Sequence, residues 1–429
     1  MGAVLDRAEV AWRGELEGHP WQGLNQLEQI APGVWFFSSF SNTPIFETDD
    51  GLVLVDPGLG NRTEDRFAAV RAALDAPLRT AIYTHGHVDH VFGVSHYAEE
   101  ARNRGWAPPQ VIAHEDMPAR FDRYRKTGGY NAVINSRQFR GGGTRTAWPT
   151  DYWPPDITYR DRLDITVGNR RFELRHARGE TDDATWIFAA DSRVLCTGDM
   201  FVWVAPNAGN PQKVQRYAGE WAAALREMAS CRPEILLPGH GWPIVGEDRV
   251  QQALDDTATY LESLEQQSVA LMNQGATLDQ LVQQVTPPPE LSDRPYLQPV
   301  YDEPEFIVRN IWRLYGGWYD GQPAHLKPAP EAEQAAEIAS LAGGVQSLLV
   351  RARQLAEAGN LRLACHLADW AHHAAPDDAG VRTLRGEIYA ARAAAEQSTM
   401  AVGIFNSTAR EMGVDLADEP TFRSQQQSR

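Results

Sequence analysis

The chain has 429 residues, a formal net charge of −17 and 43% hydrophobic residues. This length suits two globular domains with ordinary cores. The acidity disfavours nucleic acid and anionic membrane surfaces as general partners, because phosphate binding needs concentrated positive charge.

Cysteine spacing and hydropathy exclude further classes. The three cysteines, Cys196, Cys231 and Cys365, lie far apart, so we predict neither a disulfide framework nor a cysteine metal site. No apolar run approaches the roughly 18 residues of a membrane span. The acidic, interrupted first twenty residues are not typical of a signal peptide. We therefore expect a cytoplasmic protein that does not bind membranes.

The first predicted element with chemical content is a short apolar strand at residues 79–84, followed by the sequence THGHVDH. His85 and His87 lie two residues apart in extended backbone and can share one metal ion. After the chain turns, Asp89 and His90 can reach a second ion. Imidazoles combined with a carboxylate suit zinc. The pattern predicts a metal site on a loop at the tip of a strand.

Residues 119–160 are predicted to form a lid-like insertion over the active site, because long loops in compact domains are often lids. We expect it to steer an anionic substrate and to offer Trp148, Tyr152 and Trp153 to an apolar tail. The alternative is that its basic residues only pair with the acidic body. The seven basic residues are Arg120, Arg123, Arg125, Lys126, Arg137, Arg140 and Arg145, and the candidate substrate contacts are Tyr130, Arg137 and Arg140.

Two further strand predictions each end at a candidate ligand. Residues 186–190 and 193–196 are typical of a hairpin that leads to Asp199, and residues 234–237 are typical of a strand that leads to His240. Every candidate ligand therefore follows a strand.

The remainder of the chain is predicted to be helical, and the stiff Thr286-Pro287-Pro288-Pro289 connector places the domain junction near residue 286. We expect a catalytic domain over residues 1–285 and a helical domain over residues 286–429. A helix with Pro304 in its first turn should end at Gly316. The alanine-rich residues 331–413 resemble a tetratricopeptide-like hairpin, which should pack on the catalytic domain, a partner subunit or both.

The order of these motifs resembles that of the metallo-β-lactamase superfamily, with Asp56 in LVDPG, then HxHxDH, a G-x-T turn, Gly198-Asp199 and Pro238-Gly239-His240. The resemblance implies an α/β fold, an αββα sandwich, followed here by an all-α domain. Most members have histidine in the G-x-T turn, whereas this chain has Glu180. Asp182 and Asp183 are alternatives for that ligand, although register favours Glu180.

A carboxylate in that turn changes the charge of the centre. Two zinc ions carry four positive charges, of which Asp89, a bridging Asp199 and a bridging hydroxide remove three. Glu180 would bring the centre to formal neutrality, so other cations must help to hold an anionic substrate.

The segment RNIWRLYGGWYDG, residues 309–321, resembles the signature that opens the dimerisation domain of type III, zinc-dependent alkyl sulfatases. Members of that family also have acidic ligands at the spacing of Glu180 and Asp199, although the second is usually glutamate. The resemblance implies two zinc ions per subunit and a homodimer. It assigns His85, His87 and Glu180 to one ion, Asp89, His90 and His240 to the other, and Asp199 to both.

The same resemblance addresses the substrate. Asn207 matches an asparagine near the sulfate of family members, whereas their following arginine has no clear equivalent, and Lys213 or Arg216 would substitute for it. Those sulfatases continue into a lipid-binding-type domain, but this sequence ends in TFRSQQQSR. We therefore do not expect very long alkyl substrates.

Together, the motifs and the resemblance predict a dizinc hydrolase that cleaves an anionic ester, namely an alkyl sulfate monoester, by metal-bound hydroxide. Asp89 and Asp199 are the candidate catalytic residues through metal ligation, and neither is assigned as general base. A phosphodiester, lactone, thioester or β-lactam substrate is the alternative. A second alternative is a redox or non-catalytic relative with a helical protein-binding module, although the diiron redox branch usually has glutamate at the position of His87.

Overall fold

The structure is a computed structural model that describes residues 2–60, 63–139 and 147–416. The chain divides into two compact units. The first comprises Met1–Gly128 and Trp148–Gly317, and the second comprises Gly129–Ala147 and Trp318–Arg429.

Within the described residues, seven strands of the first unit form one sheet in chain order. The first four strands pair antiparallel, and the last four pair parallel. The strands are β1 (Gln26–Ala31), β2 (Val34–Ser38), β3 (Thr43–Thr48), β4 (Gly51–Val55), β5 (Leu78–Ile82), β6 (Gln110–His114) and β7 (Ile157–Tyr159). β4 reads Gly-Leu-Val-Leu-Val and is buried throughout, as expected for an apolar strand covered on both faces.

Six more strands of the described part form a second sheet in the order β13-β12-β11-β10-β9-β8. They are β8 (Arg162–Val167), β9 (Arg170–His176), β10 (Thr185–Ala189), β11 (Val194–Gly198), β12 (Ile235–Pro238) and β13 (Ile244–Val245). Phe46 of the first sheet meets Phe172 of the second edge to face, with ring centroids 5.1 Å apart. The two sheets therefore pack face to face around a shared core.

Helices cover the outer faces of both sheets. The first sheet packs against α2, α3 and the start of α4, through Val70, Tyr97 and Phe121. The second packs against α5 and α6, through Trp221, Leu225 and Leu254. The helices of this unit are α1 (Ala3–Trp12), α2 (Thr63–Ala73), α3 (Val94–Arg104), α4 (Met117–Gln138, whose end belongs to the second unit), α5 (Ala218–Ser230), α6 (Glu247–Asn273), α7 (Leu278–Gln284) and α8 (Pro304–Gly316). This layering confirms the predicted αββα sandwich.

The second unit is helical over its described residues and has its own core of alanine and leucine. Its helices are α9 (Pro323–Leu326), α10 (Glu331–Leu341), α11 (Val345–Glu357), α12 (Leu361–Ala374), α13 (Ala379–Ala394) and α14 (Thr399–Glu411). α11 and α12 form the predicted hairpin, which turns at Gly359 with a φ of 79° and is capped by the side chain of Asn360. No helix in the described ranges is long and apolar enough to cross a membrane.

The division of the chain differs from the predicted junction at residue 286. The first compact unit continues to Gly317, and residues 129–147, predicted as part of the lid, belong to the second unit. The proline connector does not end the unit because α8, which follows it, buries Ile307 and Ile311 in the core of the first unit. The predicted lid-like insertion begins within α4, where Phe121 stacks on Tyr152 with centroids 4.2 Å apart.

Candidate metal centre

Loops that follow the strands gather the seven predicted ligands. β5 ends at Ile82 and leads into the THGHVDH loop, β11 ends at Gly198 just before Asp199, and β12 ends at Pro238 before His240. Glu180 lies in the turn between β9 and β10. The fold therefore brings together, at one edge of the sandwich, ligands that lie far apart in the sequence.

The first group of ligands combines two imidazoles and two carboxylates, His85, His87, Glu180 and Asp199, whose ligand atoms all lie within 4.8 Å of one another. Glu180 Oε2 is 3.6 Å from His85 Nε2 and 3.5 Å from His87 Nδ1. These separations suit donors that surround one cation.

The second group comprises Asp89, His90 and His240. Asp89 Oδ2 is 3.6 Å from His90 Nε2 and 3.4 Å from His240 Nε2. Asp199 reaches this group as well, because its Oδ1 is 3.4 Å from His90 Nε2 and its Oδ2 is 3.3 Å from His240 Nε2. Asp199 therefore faces both groups.

Unpaired buried polar atoms test whether these residues fit metal ions. Among the described residues, His90 Nε2, Glu180 Oε2 and Asp199 Oδ1 are buried without a hydrogen-bond partner of acceptable geometry. Such atoms are rare because desolvation without a partner is costly. All three point into the two groups, and the mixture of imidazole and carboxylate donors is one that zinc accepts. The residues therefore fit a pair of divalent cations.

Asp56 orients the second group. Its carboxylate accepts hydrogen bonds from Thr84 N at 2.7 Å and Thr84 Oγ1 at 2.7 Å, and it lies 2.9 Å from His90 Nδ1. His240 Nδ1 donates to the Phe40 carbonyl at 2.5 Å. Protonation at Nδ1 leaves Nε2 of each ring to bind a cation.

Burial and neighbouring charges shift the pKa values of these groups in different directions. Burial lowers the pKa of His85 to about 4 and raises the pKa of Glu180 to about 8. Burial alone would lower the pKa of His240, but Asp199 and Asp89 raise it to about 10. Such perturbed groups cluster at functional sites.

Two residues that were considered for the substrate, Asn207 and Arg216, contact Glu180. Arg216 Nη1 lies 2.6 Å from Glu180 Oε1, and Asn207 Nδ2 donates to the same oxygen. Both side chains are buried. Arg216 adds one positive charge beside the ligand groups. The formal charge of zero, which was counted from the metal ions and their ligands alone, leaves this residue out. The spacing of residues in the sequence does not predict this ion pair. The charge count did predict that cations other than the metal ions lie near the centre.

The alternative ligands in the G-x-T turn lie outside both groups. Asp183 Oδ2 accepts from Gly86 N at 3.1 Å and pairs with Arg120 Nε at 2.8 Å. Asp182 also pairs with Arg120. Asp183 therefore ties this turn to the histidine loop, and Arg120 is a buried counter-ion of the turn and not part of a free steering surface.

The remaining predicted substrate contacts are dispersed. Lys213 is half-buried in the first unit, with its Nζ 5.7 Å from the centre of the Trp148 ring. Tyr130 and Arg137 belong to the second unit, where Tyr130 is 64% exposed. Arg140 lies outside the described residues. Substrate roles for these residues stay predictions.

Aromatic residues beside His240 were missed by sequence reasoning. Trp21 stacks on His240 with ring centroids 4.5 Å apart, and Tyr301 lies against Trp21 at 4.4 Å. The Trp21 indole donates to the Val202 carbonyl. No motif surrounds Trp21, so no sequence signal linked the N-terminal segment to the centre.

Comparison with known families matches both parts of the chain. The sequence model of the metallo-beta-lactamase superfamily matches residues 39–240, and the model described as alkyl sulfatase dimerisation matches residues 277–414.

Curated relatives include a linear primary-alkylsulfatase from Pseudomonas sp. (strain ATCC 19151), 28% identical over 376 residues, with 80% of this chain and 69% of the relative covered. An (R)-specific secondary-alkylsulfatase from Pseudomonas sp is 27% identical over 379 residues, covering 81% of this chain but only 56% of the relative. The chain therefore spans only part of the length of these relatives. Alkyl sulfatases of this superfamily are hydrolases.

Among solved structures, the stereoselective inverting sec-alkylsulfatase Pisa1 from Pseudomonas sp. superposes with a TM-score of 0.82 at 23% identity, covering 93% of this chain and 68% of that one. This likeness confirms the fold. The chain therefore carries a metallo-β-lactamase domain over residues 39–240, followed by an alkyl sulfatase dimerisation domain over residues 277–414.

Proposed function

We propose that the protein hydrolyses a sulfate monoester of an alcohol with an apolar portion, using two zinc ions per subunit. The observation that carries the proposal is the pair of ligand groups on either side of Asp199, in a chain whose curated relatives are alkyl sulfatases. His85, His87 and Glu180 would hold one ion, Asp89, His90 and His240 the other, and Asp199 would contact both. Zinc would supply a water of lowered pKa and polarise the ester.

The chain's own residues supply the rest of the chemistry. Arg216 and Asn207 fix one oxygen of Glu180, so that the other is directed toward His85 and His87. Asp56 and the Phe40 carbonyl hold His90 and His240 in one tautomer. Preorganised groups of this kind avoid reorganisation during reaction.

Cations near the ligand groups support an anionic substrate. Desolvation by the surrounding protein and the positive charge of Arg216 lower the pKa of Lys213 to about 7, while the carboxylates of Glu180 and Asp89 favour its charged form. Together with Arg216, Lys213 offsets the negative charge that Glu180 brings. We propose that Lys213 contacts the sulfate and that the Trp148 ring beside it contacts the alcohol portion.

A substrate panel tests the proposal. Zinc-replete protein should hydrolyse a medium-chain alkyl sulfate at least about 100-fold faster than a phosphodiester, a lactone, a thioester or nitrocefin. Strong turnover of one of those alternatives without sulfate release would reject the sulfatase assignment. A protein that binds no metal and turns over none of them would favour a non-catalytic role.

We also propose a homodimer formed through the helical unit. The match to a dimerisation domain supports it, and so do large apolar side chains on the surface of that unit: Trp318 is 70% exposed and Leu341 is 81% exposed. Apolar side chains that are exposed in one chain leave water when they form part of an interface between subunits. Trp318→Glu with Leu341→Glu should shift sedimentation from dimer to monomer. Equal sedimentation of the variant and the parent would reject these positions as interface.

A further inference from the structure

A long buried loop connects β11 to α5 and carries Asn207, Lys213 and Arg216. Residues 199–217 contain neither helix nor strand, yet residues 201–210 are all buried. Buried backbone N–H and C=O groups need partners, and a loop without a ladder or helix must find many of them outside itself. Loops of this length in compact domains are usually functional.

Residues 298–313 supply several of those partners. Asp302 Oδ2 accepts from Gly209 N at 2.6 Å, and the Gln298 carbonyl accepts from Ala205 N at 3.0 Å. Asn310, on α8, donates from Nδ2 to the carbonyls of Ala208 at 2.7 Å and Arg216 at 2.9 Å. Asp302 and Asn310 are themselves buried, so these bonds form away from solvent.

Close packing of the backbone also holds the loop against α8, independently of these hydrogen bonds. A Cβ atom on Gly209 would lie 2.2 Å from Ile307 N and 2.3 Å from Phe306 C, so the loop touches the backbone of α8 directly. Arg313 extends the contact, because its Nε donates to Gln215 Oε1 at 3.0 Å and its Nη2 donates to Asn310 Oδ1 at 2.7 Å. α8 therefore meets the loop through hydrogen bonds and through steric fit.

We infer that Asp302 and Asn310 are positioning residues, which hold the loop so that Asn207 and Arg216 meet Glu180 and Lys213 meets the anionic substrate. Residues 298–313, which lie within the match to the dimerisation domain, are thus part of the active-site architecture of the first unit. The substrate part of this inference rests on the proposed function, whereas the anchoring of the loop does not.

Hydrogen–deuterium exchange and steady-state kinetics on the full chain test the inference together. Asn310→Ala removes both donors, and Arg309→Ala is the matched control on the same helix, where Arg309 is exposed and pairs with Glu305. Exchange over residues 201–216 should rise about tenfold in Asn310→Ala and stay unchanged in Arg309→Ala. The KM for an alkyl sulfate should rise about tenfold in Asn310→Ala, with a smaller change in kcat and an unchanged zinc content.

The outcomes separate the inference from the proposed function. Unchanged exchange over residues 201–216 in Asn310→Ala, or an equal rise in the control, would overturn the anchoring. Raised exchange in a protein that cleaves no alkyl sulfate would support the anchoring and reject the sulfatase activity. If Asn310→Ala does not fold, Asn310→Asp keeps the size of the side chain, loses the donors and should show the same local rise in exchange.

Discussion

The two ligand groups are supported in different ways. In the first, a cation fixes a carboxylate, because Arg216 binds the oxygen of Glu180 that faces away from the imidazoles. In the second, a carboxylate and a carbonyl fix two imidazoles, because Asp56 contacts His90 and Phe40 contacts His240. Arg216 therefore adds a positive charge beside the first group, whereas Asp56 adds a negative charge beside the second and also sets the tautomer and direction of His90.

Removal of Asp56 should break the second group. Asp56→Ala loses the contacts to Thr84 and His90, so His90 is no longer held in one orientation. We expect turnover to fall about 100-fold and one zinc ion per chain to be lost. Elemental analysis and steady-state kinetics measure this, with exposed Asp75→Ala as the control. Full zinc content with normal turnover would show that Asp56 does not orient His90.

Removal of Arg216 should weaken only the first group. Arg216→Met keeps much of the side-chain volume but leaves Glu180 Oε1 without its ionic partner. We expect about tenfold weaker binding of one zinc ion, measured by competition with a chelator, and unchanged binding of the other. Arg178→Met, which breaks an exposed pair with Glu220, is the control. Equal weakening of both ions would contradict separate support of the two groups.

Lys213 should make substrate affinity depend on pH. Since the pKa of Lys213 is lowered to about 7, its ammonium is charged below that pH and loses its charge above it. The attraction that Lys213 adds for an anionic substrate is therefore present at pH 6 and absent at pH 9. Lys213→Gln should raise KM about fivefold at pH 6 and hardly change it at pH 9.

Arginine provides the control for that experiment, because Lys213→Arg stays charged across the range. This variant should keep a low KM at both pH values. An equal effect of Lys213→Gln at pH 6 and pH 9 would exclude its charge as the cause.

The smallest effect is expected at Trp21. Trp21→Phe keeps an aromatic ring against His240 but loses the donor to the Val202 carbonyl. The free energy of unfolding should fall by about 1 kcal/mol, with both zinc ions retained. Denaturant titration and elemental analysis measure the two quantities. Loss of a zinc ion in this variant would show that the indole N–H supports His240 itself.

The sequence could predict those parts of the centre that follow local rules. An apolar strand followed by HxHxDH predicts ligands at a strand tip, and Glu180 was favoured by register over Asp182 and Asp183. Long-range pairs leave no such pattern: Arg216 lies 36 residues from Glu180, and Asn310 lies 102 residues from Ala208. The proline connector predicted a domain junction near residue 286, whereas the first compact unit continues to Gly317 because α8 packs into its core.

Anomalous diffraction at the zinc edge, from crystals of zinc-replete protein, would locate the metal ions themselves. We expect two peaks per chain: one among His85, His87 and Glu180, and one among Asp89, His90 and His240, with the Asp199 carboxylate between them. A single peak, no peak, or peaks bound by other residues would contradict it.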